Sequence, residues 1–242
     1  MTAIFAKGLS KYYGEIKALC GLDLEVRRGE LFSLLGLNGA GKSTAIKLLT
    51  CLTEPSGGDA LVLGKSVTRE AESVKRKIGV SPQETALAEG LSVRENLAMM
   101  AGVFGLSKGE GRERIESLAR RLSLDAVLDR RAGKLSGGWK RRVSIAMALV
   151  GDPEVLFLDE PTLGLDVLAR RELWKVISDI RGKCTVLLTT HYMEEAESLS
   201  DRVGILDGGR MLAVGTPSEL MASCNAKSLE EAFVRLVGGD RR

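Results

Sequence analysis

The chain has a single histidine, His191, in 242 residues. One imidazole cannot build a metal centre alone, so any chemical part for His191 is that of a lone donor or acceptor. No apolar run approaches the roughly 20 residues needed to cross a bilayer, and no charged-then-apolar leader opens the sequence. The expectation is a protein that is soluble by itself and reaches a membrane only through a partner. Cys20, Cys51, Cys184 and Cys224 show no paired spacing and lie partly in apolar runs, which predicts reduced, buried thiols and a cytoplasmic setting. The net charge of +3 is too small to suggest a nucleic-acid binder. The strongest basic run, Lys140-Arg141-Arg142, fans around a helix by about 100° per residue and reads as a solvated helix face, with backbone or partner contacts left open. With 44% hydrophobic residues the chain can bury a substantial core, as one domain or as one with an inserted subdomain.

Three short stretches carry chemistry. Residues 36–44 read GLNGAGKST and match the phosphate cradle GxxxxGK[ST], with Gly36, Gly41, Lys42 and Ser43 at the defining positions. Glycines let successive N–H groups turn inward toward phosphates, and the following helix adds the partial positive charge of its N-terminus. Leu37, Asn38, Gly39, Ala40 and Thr44 complete the cradle. Lys42 would reach the β- and γ-phosphates and Ser43 would ligate magnesium. Residues 155–162 read VLFLDEPT: an apolar run of buried-strand type ends in Asp159 and Glu160, and open parallel sheets place ligands at that end of their strands. Asp159 would hold magnesium, through water, and Glu160 would polarise the attacking water. Residues 135–138 read LSGG, where Ser136, Gly137 and Gly138 offer a hydroxyl and bare amides at a helix start, a second anion-binding surface. An SGG turn alone is a frequent helix junction; its value lies in its company.

Periodicity orders these stretches. Residues 1–35 carry strand-like runs, including Leu22–Val26 and Leu31–Leu35. A helix is expected over Lys42–Leu52 and a strand over Ala60–Leu63. Helical, charge-rich patterning fills 85–150, clearest at Val93–Phe104 and Glu110–Leu122, and strand and helix alternate again from 155 to about 206, the pattern of a parallel sheet. His191 follows the β-prone run CTVLLTT (184–190) and so falls at another strand's carboxyl end.

Together the motifs resemble those of the nucleotide-binding subunits of ABC transporters, over nearly the whole chain. Residues 36–44 match that family's Walker A, Gln83 its Q-loop, 135–139 its signature, 155–160 its Walker B, PTLGLD (161–166, with Asp166) its D-loop, and His191 its switch histidine. The resemblance implies an α/β P-loop NTPase core with a mainly parallel sheet, an N-terminal antiparallel β subdomain and an inserted α-helical subdomain. In these terms residues 1–84 and 151–220 form the nucleotide-binding core, 85–150 the helical signature subdomain and 221–242 a short helical tail of a single ATPase domain. It further implies that Tyr13 stacks on adenine, that the Gln83 amide oxygen ligates magnesium, and that His191 contacts the γ-phosphate and helps hold the attacking water near Glu160. The implied cofactors are ATP and Mg2+. Trp139 stands where many members have Gln, which leaves any contact of that side chain in doubt but not those of Ser136 and the glycines.

The same resemblance implies two partners. One is a second cassette, the same chain or a different one, meeting this chain head to tail so that each ATP lies between one cradle and the other LSGG. The other is a multi-spanning permease, which would hold this subunit on the cytoplasmic face of the cell membrane. In similar proteins the stretch from Gln83 to Leu97 lies beneath the permease's docking groove. THYMEEAE (190–197), GTPSEL (215–220) and SLEEAF (228–233) look like cassettes of bacterial exporters of drugs, lipids or polysaccharides. The alternatives are an importer cassette and a soluble ABC-type ATPase outside transport; one cradle, one LSGG and the lack of sustained heptads weigh against the latter.

Overall fold

Near the N-terminus, alternation becomes two long strands, β1 (Thr2–Tyr13) and β2 (Ile16–Arg27), joined at Gly14 and paired antiparallel. In β2, Leu22, Leu24 and Val26 are buried while Asp23, Glu25 and Arg27 face water, as in a sheet wetted on one side. The computed structural model describes residues 1–239; the last three residues of the expected tail, 240–242, lie outside them.

The chain then enters β3 (Leu31–Leu35), buried at every position, and α1 (Lys42–Leu49). This helix is shorter than the expected Lys42–Leu52. Cys51 turns left-handed at φ 57° and the Leu52 N–H returns to the Lys47 carbonyl at 2.8 Å, closing the last turn on itself. β4 (Gly57–Val62) begins earlier than expected and stops before Leu63, because Leu63 and Gly64, both at positive φ, form the tight turn into β5 (Lys65–Ser66). The sheet order is β2-β1-β4-β5, antiparallel throughout. A short α2 (Ala71–Lys75) follows.

Residues Arg76–Ile180 form a compact unit of their own. It holds β6 (Ile78–Ser81), α3 (Val93–Val103), α4 (Lys108–Arg121), α5 (Gly137–Leu149), β7 (Val155–Asp159) and α6 (Val167–Ile180), with β6 and β7 parallel, Ile78 opposite Val155. Ser92 with Glu95, and Ser107 with Glu110, are reciprocal capping boxes that start α3 and α4 within a residue or two of where periodicity places them. The α5 helix is buried on nearly all sides from Arg141 to Leu149. It lies so close to β6 that a Cβ on Gly79 would stand 2.1 Å from the Ala148 carbonyl oxygen.

The other unit joins Met1–Lys75 to the chain from Arg181 onward. The returning segment is β8 (Thr185–Thr190), α7 (Met193–Leu199), β9 (Arg202–Asp207), β10 (Arg210–Gly215), α8 (Pro217–Ser223) and α9 (Leu229–Gly239). Within this unit the strands lie in the order β10-β9-β3-β8; β3 is parallel to both neighbours and β10 closes the edge antiparallel. Parallel strands buried on both faces need continuous apolar sequence, which LFSLL and TVLLTT provide. GTPSEL is a helix start: Thr216 and Glu219 cap α8 reciprocally with Pro217 in the first turn. Leu220, Leu229, Phe233 and Val237 then pack with Leu35, Val203 and Ile205 in one core.

Two further expectations change. None of the four cysteines forms a disulfide, and they are half-buried rather than buried. Cys51 closes the exposed end of α1, and burial still pushes its thiol up from the ordinary range. The second change, at Arg141, is described below. Among the described residues no helix is long and apolar enough to cross a membrane.

Because Gly79 has no room for a side chain against a backbone oxygen, Gly79→Ala should lower stability by about 1–3 kcal/mol. A urea titration followed by circular dichroism measures it, and a midpoint equal to wild type would contradict the close packing of α5 on β6.

Candidate functional site

The phosphate cradle is assembled by backbone contacts that only glycine permits. The Gly36 N–H donates to the Thr190 carbonyl at 3.2 Å, and a Cβ on Gly36 would stand 2.4 Å from the Leu206 carbonyl oxygen. Gly39 and Gly41 adopt φ of 81° and 105°, and a Cβ on Gly41 would meet the Ala18 carbonyl oxygen at 2.5 Å. From the opposite side the Ala40 carbonyl accepts from Gly209 N–H, whose own carbonyl accepts from Cys20 N–H. The loop is thus wedged between β2 and the β9–β10 turn. Lys42, only 4% exposed, donates through Nζ to the carbonyls of Gly36 at 2.8 Å and Leu37 at 3.1 Å, so its charge is held over the loop's own entrance. Ser43 and Thr44, half-buried, open α1 behind it.

Leu35 is the register partner of Thr190, which brings β3 and β8 to an end at the same level. His191, the next residue, therefore sits beside the start of the cradle, its ring 4.1 Å from that of Tyr192. Tyr13 ends β1 with its side chain half-exposed and the Lys11 ammonium 5.2 Å from its ring centroid, a cation on a face that offers stacking.

The second unit carries the remaining predicted residues. Asp159 is the last residue of β7 and Glu160 the first beyond it; both are buried, and Glu160 takes a left-handed backbone at φ 45°. A non-glycine residue in this region marks a turn held by its surroundings. Here the Glu160 carbonyl accepts from Leu163 N–H and the Thr162 carbonyl from Leu165 N–H, a pair of tight turns through Gly164. Asp166 accepts from Ala169 N–H at 2.9 Å and so starts α6.

The signature stretch opens α5. Ser136 is its N-cap residue, yet its hydroxyl makes no cap bond, and Gly137 is exposed beside it. A Cβ on Gly138 would crowd the Ala169 side chain in α6 at 3.2 Å, while one on Gly137 would make ordinary contact with Leu165 at 3.5 Å, so the helix start lies against the turn after Glu160 and the first turn of α6. In this unit, therefore, the LSGG and PTLGLD stretches are neighbours. Trp139 packs in the first turn with the Arg142 guanidinium 4.9 Å from its ring, and Arg142 in turn pairs with Glu172.

Gln83 is exposed on the segment after β6. Its backbone is held by a residue that sequence reasoning misplaced. Lys140-Arg141-Arg142 is not a solvated face: Arg141 is 5% exposed and donates to the carbonyls of Pro82 and Gln83, each at 2.7 Å. Lys140 pairs with Glu89 at 2.6 Å and holds that carboxyl below its ordinary range. The available signal was the helical phase of Arg141, which it shares with Ser144, Ile145 and Ala148 rather than with its chain neighbours.

Because Gly41 combines positive φ with a backbone oxygen in the way, Gly41→Ala should weaken binding of a fluorescent ATP analogue at least ~10-fold and lower stability by about 1–3 kcal/mol. Gly64→Ala is the comparator, since Gly64 has positive φ in open space and should lose stability without losing binding. Equal loss of binding in both would contradict the role given to the cradle.

The arrangement matches known proteins. The family model described as ABC transporter matches residues 19–163. A daunorubicin/doxorubicin resistance ATP-binding protein of Streptomyces peucetius is 43% identical over 94% of this chain and 69% of its own. A Nod factor export ATP-binding protein of a Rhizobium species is 44% identical over 90% and 72%. Among solved structures, a dimeric ATP-binding cassette in a post-hydrolysis state bound to ADP and phosphate aligns with a TM-score of 0.79 and 27% identity over 88% of this chain and 98% of its own. A cradle of glycine-licensed amides, paired acids at a strand end and an SGG helix start thus occur in a chain that shares its sequence with such cassettes across most of its length. The chain belongs to the ABC transporter family and is an ATP-binding cassette, an ATPase with the P-loop NTPase fold.

Proposed function

We propose that this cassette couples ATP hydrolysis to export through a membrane permease, as one half of a head-to-tail cassette pair. The observation that carries the catalytic part is the shared ending of β3 and β8, which sets His191 beside a cradle whose lysine is buried and aimed at its entrance.

In this reading the amides of residues 36–44 and the Lys42 ammonium take the phosphates, Tyr13 stacks on adenine, and the Ser43 hydroxyl, Gln83 amide and Asp159 carboxylate hold magnesium. All three are hard oxygen donors, the chemistry that magnesium prefers, and so few protein ligands suit an ion that shares its sphere with phosphates and water. Bound magnesium would neutralise charge on the phosphates. Glu160 takes the proton from the attacking water as its oxygen adds to the γ-phosphorus and the bridging oxygen leaves with ADP. His191 donates to the γ-phosphate, and Lys42 and the cradle amides stabilise the charge that spreads over its oxygens. Ser136, Gly137 and Gly138 would serve the other cassette's nucleotide, with Asp166 near the junction. The uncommitted Ser136 hydroxyl supports this, and so does the dimeric state of the ADP- and phosphate-bound relative.

Export is supported by the relatives, one named for drug resistance and one for Nod factor export. The permease would hold the cassette at the cytoplasmic face of the membrane, with the Gln83–Leu97 stretch as the region of contact; Leu91 exposes apolar surface there, and Met99 does so two residues beyond it.

Glu160→Gln should cut the ATPase rate by ~100-fold or more while ATP and magnesium convert the protein to a dimer, read by light scattering after size exclusion. Tagged Glu160→Gln, solubilised from source membranes with ATP and magnesium, should carry a multi-spanning membrane protein with it. A monomer at saturating ATP would overturn the paired mechanism, and recovery of only soluble or ribosomal proteins would overturn the transport reading.

A further inference from the structure

The unit formed by Arg76–Ile180 contains a buried polar seam along one side of α5. Arg141 donates from its two terminal nitrogens to the Pro82 and Gln83 carbonyls, each at 2.7 Å. One turn on, the Ser144 hydroxyl meets the Ser81 hydroxyl at 2.8 Å. A further turn on, the Ala148 carbonyl lies where Gly79 would carry its Cβ. Residues 141, 144 and 148 are spaced by three and four, so they form one helix face, and each touches a successive part of the chain from β6 to Gln83. Arg141, Ser144 and Ser81 are each at least 95% buried.

A guanidinium fork bridging two consecutive carbonyls fixes more than a distance. Its planar, pre-organised donors define the orientation of both peptide groups, which lysine, with its single ammonium, cannot do. The second of those carbonyls belongs to Gln83, so the fork sets the direction in which the Cα–Cβ bond of Gln83 leaves the chain. The same helix begins at Ser136, five residues before Arg141 and little more than one turn away.

We propose that Arg141 is a positioning residue for the ATPase reaction: by clamping the Pro82 and Gln83 carbonyls to α5, it presents the Gln83 carboxamide in one orientation and makes Gln83 move as one body with the Ser136–Gly138 helix start. The Arg141 clamp adds a residue to the catalytic arrangement proposed above and rests on it for the part Gln83 plays with magnesium.

The test separates the clamp from that role. Arg141→Met keeps the length of the stem but removes the donors; Arg141→Lys keeps the charge without the fork. Both are compared with wild type, Gln83→Ala and the double variant Arg141→Met/Gln83→Ala, in the full chain, after circular dichroism melting shows each variant folded. Amide hydrogen exchange over residues 82–90 reads the clamp directly, and exchange should quicken in Arg141→Met and, less, in Arg141→Lys. Steady-state ATPase with magnesium titration reads the consequence. In Arg141→Met the kcat should fall ~10-fold and the half-saturating magnesium concentration should rise several-fold with KM for ATP little changed, and the double variant should be no slower than Gln83→Ala.

Unchanged exchange over 82–90 in Arg141→Met overturns the clamp, and multiplicative losses in the double variant overturn its action through Gln83. If Gln83→Ala alone leaves both kcat and the magnesium dependence at wild-type values, the magnesium reading of Gln83 fails, and positioning in the ATPase reaction falls with it; quickened exchange in Arg141→Met would then retain the clamp only as a packing feature. Should Arg141→Met fail to fold, the same comparison is made with Arg141→Lys, for which exchange equal to wild type overturns the clamp.

Discussion

The bond from the Gly36 N–H to the Thr190 carbonyl, with the register that makes it possible, is the constraint on which the first unit's chemistry rests. Two parallel strands buried at every position have no freedom to slip, because a one-residue shift would misplace every side chain. Their ends therefore meet at a fixed level, and what the chain places just beyond each end is fixed with them: the cradle after Leu35 and His191 after Thr190. The glycines are the second condition, since at Gly36 and Gly41 the approaching atoms are backbone oxygens that cannot step aside. Lys42 completes the arrangement by folding its ammonium back over the loop.

In the second unit the equivalent constraint is burial of α5. A helix buried at nearly every position beyond its first turn cannot rotate or slide without dislodging β6, and its N-terminal glycines lie against the turn that follows Glu160 and the start of α6. The Ser136–Gly138 helix start, the acidic strand end and the Gln83 segment are thereby supports of one another, held largely by contacts that are backbone on at least one side.

The elements of the fold were legible where a single physical rule governs them. An apolar run identified β7, strand-like and β-prone runs β3 and β8, and helical periodicity α3 and α4, because burial acts locally. The end of α1 and the turn at Leu63 were not legible, since Cys51 and Leu63 are residues that seldom take positive φ and do so here under tertiary demand. Arg141 was hidden for a different reason. Three consecutive cations look like a wet surface, and only the phase of the helix shows that one points inward to carbonyls supplied by a chain segment more than fifty residues earlier. Among the candidate site residues, motif spacing gave identities and strand-end positions, but not which neighbours hold them.

The left-handed backbone at Glu160 extends beyond catalysis to what substitutions this position can accept. Glycine there would relieve strain on the order of 1 kcal/mol while deleting the carboxylate, so the chain would become a sturdier protein and, on the mechanism proposed above, a poorer enzyme. β-Branched residues would meet the opposite problem, losing the acid and adding strain. Selection for folding alone would pull residue 160 away from glutamate, and the part proposed for its carboxylate in activating water is what would weigh against that pull.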